Sequence, residues 1–267
     1  VIDLLIRIFC EPRSDSVLIL EPTYGVYRVA ADVNDVTVNS CLLTDEFQID
    51  LDGARRKTDA STKLIFCCSP NNPTGNLLRR EDILALCATT SAMVVVDEAY
   101  FDFARAESVI SAVSRYPNLV VLRTFSKAWG LAAIRLGYAL AHPLIVSYLM
   151  KAKAPYNINA LTSMEALQAL ERTDHVQRSV ASTIAERERL VGELERVACV
   201  QRVFPSDANF LLVRVTNART LHQQLAQRGV IVRDRSSEPK LANCIRISVG
   251  TPGQNDILLT ALKELMV

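Results

Sequence analysis

Apolar runs of strand length alternating with helical stretches predict an α/β fold. A larger N-terminal domain with a mainly parallel sheet is expected over residues 1–165, and a smaller C-terminal α/β domain over 166–267. The runs Leu64–Cys68, Met93–Val96 and Leu119–Leu122 are apolar at every position, as strands buried on both faces require. From about residue 159 the pattern changes to two long helical runs followed by shorter strand and helix segments.

In chain order, Val17–Leu20 reads as a strand, followed by a Tyr-bearing loop, a short helix near Val26–Ala31 and a strand at Val36–Val38. Residues 79–90 carry helical periodicity and link the Leu64–Cys68 strand to Met93–Val96. Leu136–Ala141 adds a strand after Lys127. Helices are expected over Ala160–Glu171 and Asp174–Ala198, the second solvated through Glu and Arg, with no further role assigned to Glu186 and Arg189. Then follow a strand at Phe210–Val213, a helix at Leu221–Arg228, strands at Val230–Val232 and around Arg246, and a final helix to Met266. Glu238-Pro239-Lys240 reads as a loop.

Composition narrows the function classes. In 267 residues, 49% hydrophobic and 22% charged, the net charge is +1, so no basic surface argues for nucleic acid. No apolar run reaches the roughly 18 residues of a membrane helix. Seven cysteines without Cys-x-x-Cys spacing and three dispersed histidines give neither a disulfide framework nor a metal-ligand pattern, and a reducing cytoplasm is the expected compartment.

Three predicted strands end in reactive groups. The first runs into Ser69-Pro-Asn-Asn-Pro-Thr-Gly75, the second into Asp97-Glu-Ala-Tyr100, the third into Thr124-Phe-Ser-Lys127 with Arg135 beyond. Taken singly each is ordinary: a turn, a cap, a solvated lysine. Together, at the carboxyl ends of strands in an open α/β sheet, they suit pyridoxal 5'-phosphate. Lys127 supplies the amine that condenses with its aldehyde and later shuttles a proton. Asp97 suits the ring nitrogen, and Asn72 and Tyr100 the phenolic oxygen. Thr124, Ser126 and Arg135 offer donors for the phosphate, and Tyr24 a ring to lie over the cofactor.

These motifs, Ser69–Gly75, Val96–Tyr100 and Arg123–Ala128, resemble the fold-type I aminotransferases. Pro22–Tyr27, Ala154–Asn159, Ser206–Phe210, Val232–Arg235 and Asn243–Thr251 are similar to the histidinol-phosphate aminotransferase subfamily. The resemblance implies the pyridoxal-phosphate-dependent transferase fold, a homodimer, and amino transfer between histidinol phosphate and 2-oxoglutarate, giving imidazole-acetol phosphate and glutamate. It implies that Arg246 takes the carboxylate of glutamate or the phosphate of the other substrate, with Arg233 assisting and Asn72 at the substrate. An aromatic or other amino-acid aminotransferase, a decarboxylase of an amino-acid phosphate, and an inactive fragment are the alternatives.

The sequence opens at Val1-Ile-Asp-Leu-Leu-Ile-Arg7 without a Met. By resemblance this is the body of a helix, with the family's Gly-containing turn and N-terminal arm upstream, so the chain is expected to be an N-terminally incomplete copy. Ala133 stands where the family commonly has Gly, a departure expected to be tolerated.

Overall fold

The computed structural model describes residues 1–265. In chain order the first part contains α1 (Ile2–Phe9), β1 (Ser16–Glu21), α2 (Val26–Val33), β2 (Thr37–Leu42), α3 (Leu51–Arg56) and β3 (Thr62–Cys68). It continues through α4 (Arg80–Thr89), β4 (Met93–Asp97), β5 (Leu119–Thr124), β6 (Gly137–Ala141) and α5 (Pro143–Ala152). After these come α6 (Ala160–Leu170), α7 (Thr173–Leu194), β7 (Val200–Val203), β8 (Phe210–Val215), α8 (Ala218–Gln227), β9 (Arg233–Asp234), β10 (Cys244–Ser248) and α9 (Pro252–Glu264).

The first six strands form one sheet in the order β2-β1-β3-β4-β5-β6. β1 to β5 run parallel, and β6 returns antiparallel on β5. The order reverses between β1 and β3, so the crevice at their carboxyl ends is where an open α/β sheet accepts a ligand. Strand alternation divides the sheet between two cores. Val17, Ile19, Leu64, Phe66, Val95 and Val120 pack with Leu5, Ile6, Tyr27 and Ile145 of the helical layer α1, α2 and α5. Leu18, Leu20, Ile65, Cys67, Val94 and Val121 face Ala54, Ile83, Leu86 and Phe204 on the other side. Leu64, Ile65 and Phe66 have no exposed surface, and full burial of such side chains stabilises by roughly 1.5–3 kcal/mol each.

The second sheet is antiparallel, in the order β7-β8-β10-β9. Leu211, Val213, Ile245 and Ile247 join Leu190, Leu225, Leu258 and Leu262 of the flanking helices in a third core. The opposite face of β8 and β10, including Leu212 and Cys244, packs on the large sheet's layer. α9 starts with a capping box between Thr251 and Gln254, with Pro252 in its first turn.

Some expectations are corrected. Val230–Val232 is not a strand: only Val232 is buried, and pairing with β10 begins at Arg233 and spans two residues. β7 and α3, too short to give a clear period, are additional elements. Glu186 and Arg189 do more than meet solvent. Glu186 accepts from Arg189 at 2.8 Å and from Asn255 at 2.8 Å, while Arg189 pairs with Asp256 at 2.9 Å, tying α7 to α9. The expected end of the last helix at Met266 lies outside the described residues. All seven cysteines are free and buried. Among the described residues no helix is long and apolar enough to cross a membrane, and no cluster of three His, Cys, Asp or Glu could hold a metal.

The two sheets are joined at the turn that follows β3. Asp207 N–H donates to the Gly75 carbonyl at 2.7 Å, and Leu77 N–H to the Asp207 carboxylate at 3.1 Å. Arg187 of α7, 8% exposed, donates to the carbonyls of Ala208 and Phe103. Gly75 has φ +89°, and a Cβ there would stand 2.6 Å from Ser206 Oγ and 2.8 Å from Ser206 Cβ. Gly75→Ala therefore carries left-handed strain together with a clash, and is expected to cost at least about 2 kcal/mol. Chemical denaturation checks this, and wild-type stability in Gly75→Ala would refute the close approach.

Candidate active site

The turn Ser69–Gly75 is pinned from within. Asn71 donates its amide to the Pro22 carbonyl at 2.9 Å and to Thr74 Oγ1 at 2.7 Å, and its oxygen accepts from Thr23 at 3.1 Å. One asparagine is thus spent on joining β3's turn to the end of β1. Asn72 is left facing the crevice, where its side-chain oxygen accepts from Arg246 Nη1 at 2.6 Å and its amide NH2 remains the donating end.

β4 delivers two acids to opposite sides. Asp97, 7% exposed, accepts from the Tyr27 hydroxyl at 2.9 Å and from Ala99 N–H at 3.1 Å. Its carboxyl is pushed above the ordinary range, by burial first, with the Tyr27 hydrogen bond opposing. Tyr27 has no exposed surface and stacks on Phe66 with centroids 4.7 Å apart, so its hydroxyl is fixed in place. Glu98 points the other way, receiving Arg123 Nε and Nη2, the Ser108 hydroxyl and Val109 N–H. Arg123 also reaches Asp102 at 3.2 Å. This buried ion pair fastens the end of β4 to the end of β5, one residue from Asp97 and one from Thr124.

Tyr100, 7% exposed, meets Phe210 of β8 edge-on at 5.0 Å. Its phenol is pushed up to about 12, mainly by burial. Lys127 is solvent-facing as a residue, but its amine turns back over the Tyr100 ring, 5.0 Å from the centroid. Loss of solvation there lowers the Lys127 pKa, with Arg246 adding repulsion and Tyr24 opposing. A lowered amine is easier to deprotonate at neutral pH, as a nucleophilic lysine requires.

The Thr124 hydroxyl donates to the Leu136 carbonyl at 3.3 Å and accepts from Ser126 N–H at 3.0 Å, so it braces the lysine turn. Arg135 follows a 3-10 turn in the left-handed region, φ +55°, with its guanidinium on the Ala132 carbonyl at 2.9 Å. Ala133 is exposed within that turn, so its methyl is accommodated. In β9 and β10, Arg233 and Arg246 are direct cross-strand partners. Burial lowers the Arg246 pKa, and its guanidinium lies 5.0 Å from the Phe210 ring centroid.

All the sequence-selected residues converge on two adjoining cavities. The first, of about 330 Å³, is lined by Tyr24, Asn72, Asp97, Tyr100, Thr124, Ser126, Lys127 and Arg135. The second, a cleft toward the small sheet, is lined by Arg233, Arg235, Glu238 and Arg246 and shares Tyr24, Asn72, Tyr100 and Lys127 with the first. Sequence reasoning missed Tyr27, Arg235 and the Glu98–Arg123 pair. Tyr27 lies three residues after Tyr24 in the same motif, and that spacing at the start of α2 was the available signal.

The sequence matches the family "Aminotransferase class I and II" over residues 1–262. The chain belongs to that family. It is 46% identical over 263 residues to histidinol-phosphate aminotransferase of Bacteroides thetaiotaomicron, covering 98% of this chain and 76% of that one. The fold is similar to the crystal structure of the histidinol-phosphate aminotransferase from Clostridium acetobutylicum, with TM-score 0.91 and 26% identity over 99% of this chain and 80% of that chain. The Sinorhizobium meliloti histidinol-phosphate aminotransferase, solved in complex with pyridoxal-5'-phosphate, superposes with TM-score 0.88 at 23% identity, over 99% of this chain and 73% of that one. Members of the family are pyridoxal-phosphate-dependent, and this chain is a transaminase of that type.

Tyr27 gives a test of the buried carboxylate. Because folding raises the Asp97 pKa, the folded chain binds more protons than the unfolded one between the two values. Its contribution to stability therefore falls as pH rises through that interval. Tyr27→Phe removes the largest hydrogen bond favouring the ionised form and is expected to extend the interval upward. The loss should be about 1.5–3 kcal/mol at neutral pH, shrinking below the ordinary carboxylate range. Melting temperature against pH checks this, and a pH-independent deficit would show the hydroxyl is not coupled to Asp97.

Proposed function

We propose that this chain exchanges an amino group between histidinol phosphate and 2-oxoglutarate, giving imidazole-acetol phosphate and glutamate, as a step of histidine biosynthesis. The observation that carries this reading is the arginine-lined cleft that opens onto Lys127. One cleft must accept a carboxylate and a phosphate in alternation, and guanidinium forks suit both. Support comes from relatives of that name at 41–47% identity.

The residues fit the cofactor. Asp97 accepts hydrogen bonds from neutral donors, Tyr27 and Ala99, and faces the first cavity, a setting that suits a protonated ring nitrogen. Bound pyridoxal phosphate supplies the electron sink for a carbanion at the substrate carbon. Lys127 Nζ would carry the proton to and from that carbon. Asn72 and Tyr100 would donate to the phenolic oxygen, and Tyr24 would cover one ring face. Ser126 and Arg135 would hold the phosphate, with Thr124 contributing its position more than its already engaged hydroxyl proton. Arg246 would take the substrate's carboxylate or phosphate, with Arg233 beside it. We also place a domain division near residue 165, so that the 1–165 part carries the cofactor groups and the 166–267 part the substrate arginines.

We further infer a homodimer acting in the cytoplasm. Exposed Tyr156, Leu161, Met164 and Leu167 form an apolar stretch suited to a second subunit, and seven free thiols suit a reducing compartment.

The assay is amino transfer from histidinol phosphate to 2-oxoglutarate, with borohydride trapping and peptide mapping of the cofactor-labelled lysine. Lys127→Ala is expected to lose at least about 10³-fold in kcat and all covalent label. Labelling at another lysine would overturn the assignment. Turnover of aromatic amino acids but not histidinol phosphate would overturn the substrate.

A further inference from the structure

The cleft contains a third arginine that the proposed function leaves unused. Arg233 lies opposite Arg246, and Arg235 N–H donates to the Cys244 carbonyl at 2.8 Å, continuing the pairing beyond β9. Strand alternation therefore sets Arg233, Arg235 and Arg246 on the face away from Ile245 and Ile247, which fill the third core. Arg235 is already partnered. Its Nη1 donates to Glu238 Oε1 at 3.0 Å, across a turn closed by Glu238 N–H on the Arg235 carbonyl.

The pairing is incomplete. Arg235 Nε, Glu238 Oε2 and Arg246 Nε are each buried without a hydrogen-bond partner among the described residues. Two guanidinium edges and one carboxylate oxygen are thus held out of solvent beside the same cleft. Buried polar atoms are nearly always satisfied, so this cluster has bonding capacity that water or a bound anion completes. Arg80 Nε and Arg214 Nε share the condition elsewhere, and it is the cleft beside Arg235 and Arg246 that sets this pair apart.

We propose that the Arg235–Glu238 pair is an exchangeable lock: Glu238 holds Arg235 until a ligand phosphate displaces it, whereas a carboxylate is held by Arg246 and leaves the lock closed. This rests on the reading that one cleft takes both anions in turn. A carboxylate carries one charge and two oxygens, which a single fork satisfies. A phosphate monoester carries about −1.5 to −2 charges and three terminal oxygens, more than one fork can meet. Exchanging Glu238 for phosphate never leaves the half-buried Arg235 guanidinium without an anionic partner. Burial holds the Glu238 carboxyl above the ordinary carboxylate range, with Arg235 opposing, so Glu238 is disposed to accept a proton once Arg235 has turned away. Arg235 is then a specificity-determining residue that responds to the charge and oxygen count of the one anionic group held at Arg246, not to the charge of the whole ligand.

The test uses the pyridoxal-phosphate-loaded chain, in which the cofactor's own phosphate site is filled. Inorganic phosphate and 2-oxoglutarate are titrated separately by calorimetry into wild type, Arg235→Gln, Arg235→Lys and Glu238→Gln. Arg235→Gln is expected to weaken phosphate at least tenfold while changing 2-oxoglutarate less than threefold. Arg235→Lys, which keeps the charge without the fork, should fall between. Glu238→Gln should tighten phosphate severalfold, a gain that misfolding cannot produce. Equal losses for both anions in Arg235→Gln, or unchanged phosphate affinity in Glu238→Gln, would overturn the lock. A wild-type chain that binds phosphate in this pattern yet does not turn over histidinol phosphate would keep the lock and sink the substrate assignment instead.

Discussion

The site depends on a carboxylate kept inside the protein at the end of a central strand. Asp97 occupies the register position beside Cys68 of β3 and Leu122 of β5, so apolar strands flank it on both sides. Such a group survives only with hydrogen-bonding partners. Tyr27 supplies one from α2, and the rigidity of that partner comes from its stacking on Phe66 of the sheet core. The helix that follows β1 is thereby locked to the strand two places away, and Tyr24, in the loop just before that helix, packs edge-on against Tyr27 at 5.6 Å and lines the cavity.

A second constraint separates two kinds of acid. Strand alternation sends Asp97 into the cavity and Glu98 away from it, and only Glu98 receives an arginine. Arg123 neutralises Glu98 and Asp102 while clamping the strand ends together, so the cavity acid is left without a permanent cationic partner. Division of labour among neighbouring asparagines follows the same logic: Asn71 is consumed by structure and Asn72 is kept for the crevice.

Much of the fold and site was legible in the sequence because chemistry and local periodicity coincide there. Uninterrupted apolar runs of strand length, bounded by turn residues, read as central strands, and the residues just beyond them then fall at the crevice. Lys127, Asp97, Asn72, Tyr100 and Arg135 stand together for that reason. What was not legible depends on long-range packing. Tyr27 enters the sequence reading only as the end of the Pro22–Tyr27 motif, and its part in the site follows from its hydrogen bond to Asp97. Thr124 reads as a phosphate donor until Leu136 is seen to take its proton. Arg235 enters the sequence reading only as the end of the Val232–Arg235 motif, with no role assigned, and β9 is too short for its period to register. The tie between α7 and α9 through Glu186 was missed because its partner Asn255 is far away in the sequence.

Tyr24, Asn72, Tyr100 and Lys127 belong to both cavities, and this sharing limits how such a protein can diversify. With the roles proposed above, a replacement at any of the four would alter cofactor retention and substrate choice together, so selection for a new substrate would act there at a penalty. The arginines of β9, its following turn and β10 border the cleft alone. New substrate ranges are therefore most accessible by drift along one short edge of the small sheet, while the reactive centre stays fixed. The architecture in effect separates an invariant engine from an interchangeable selector.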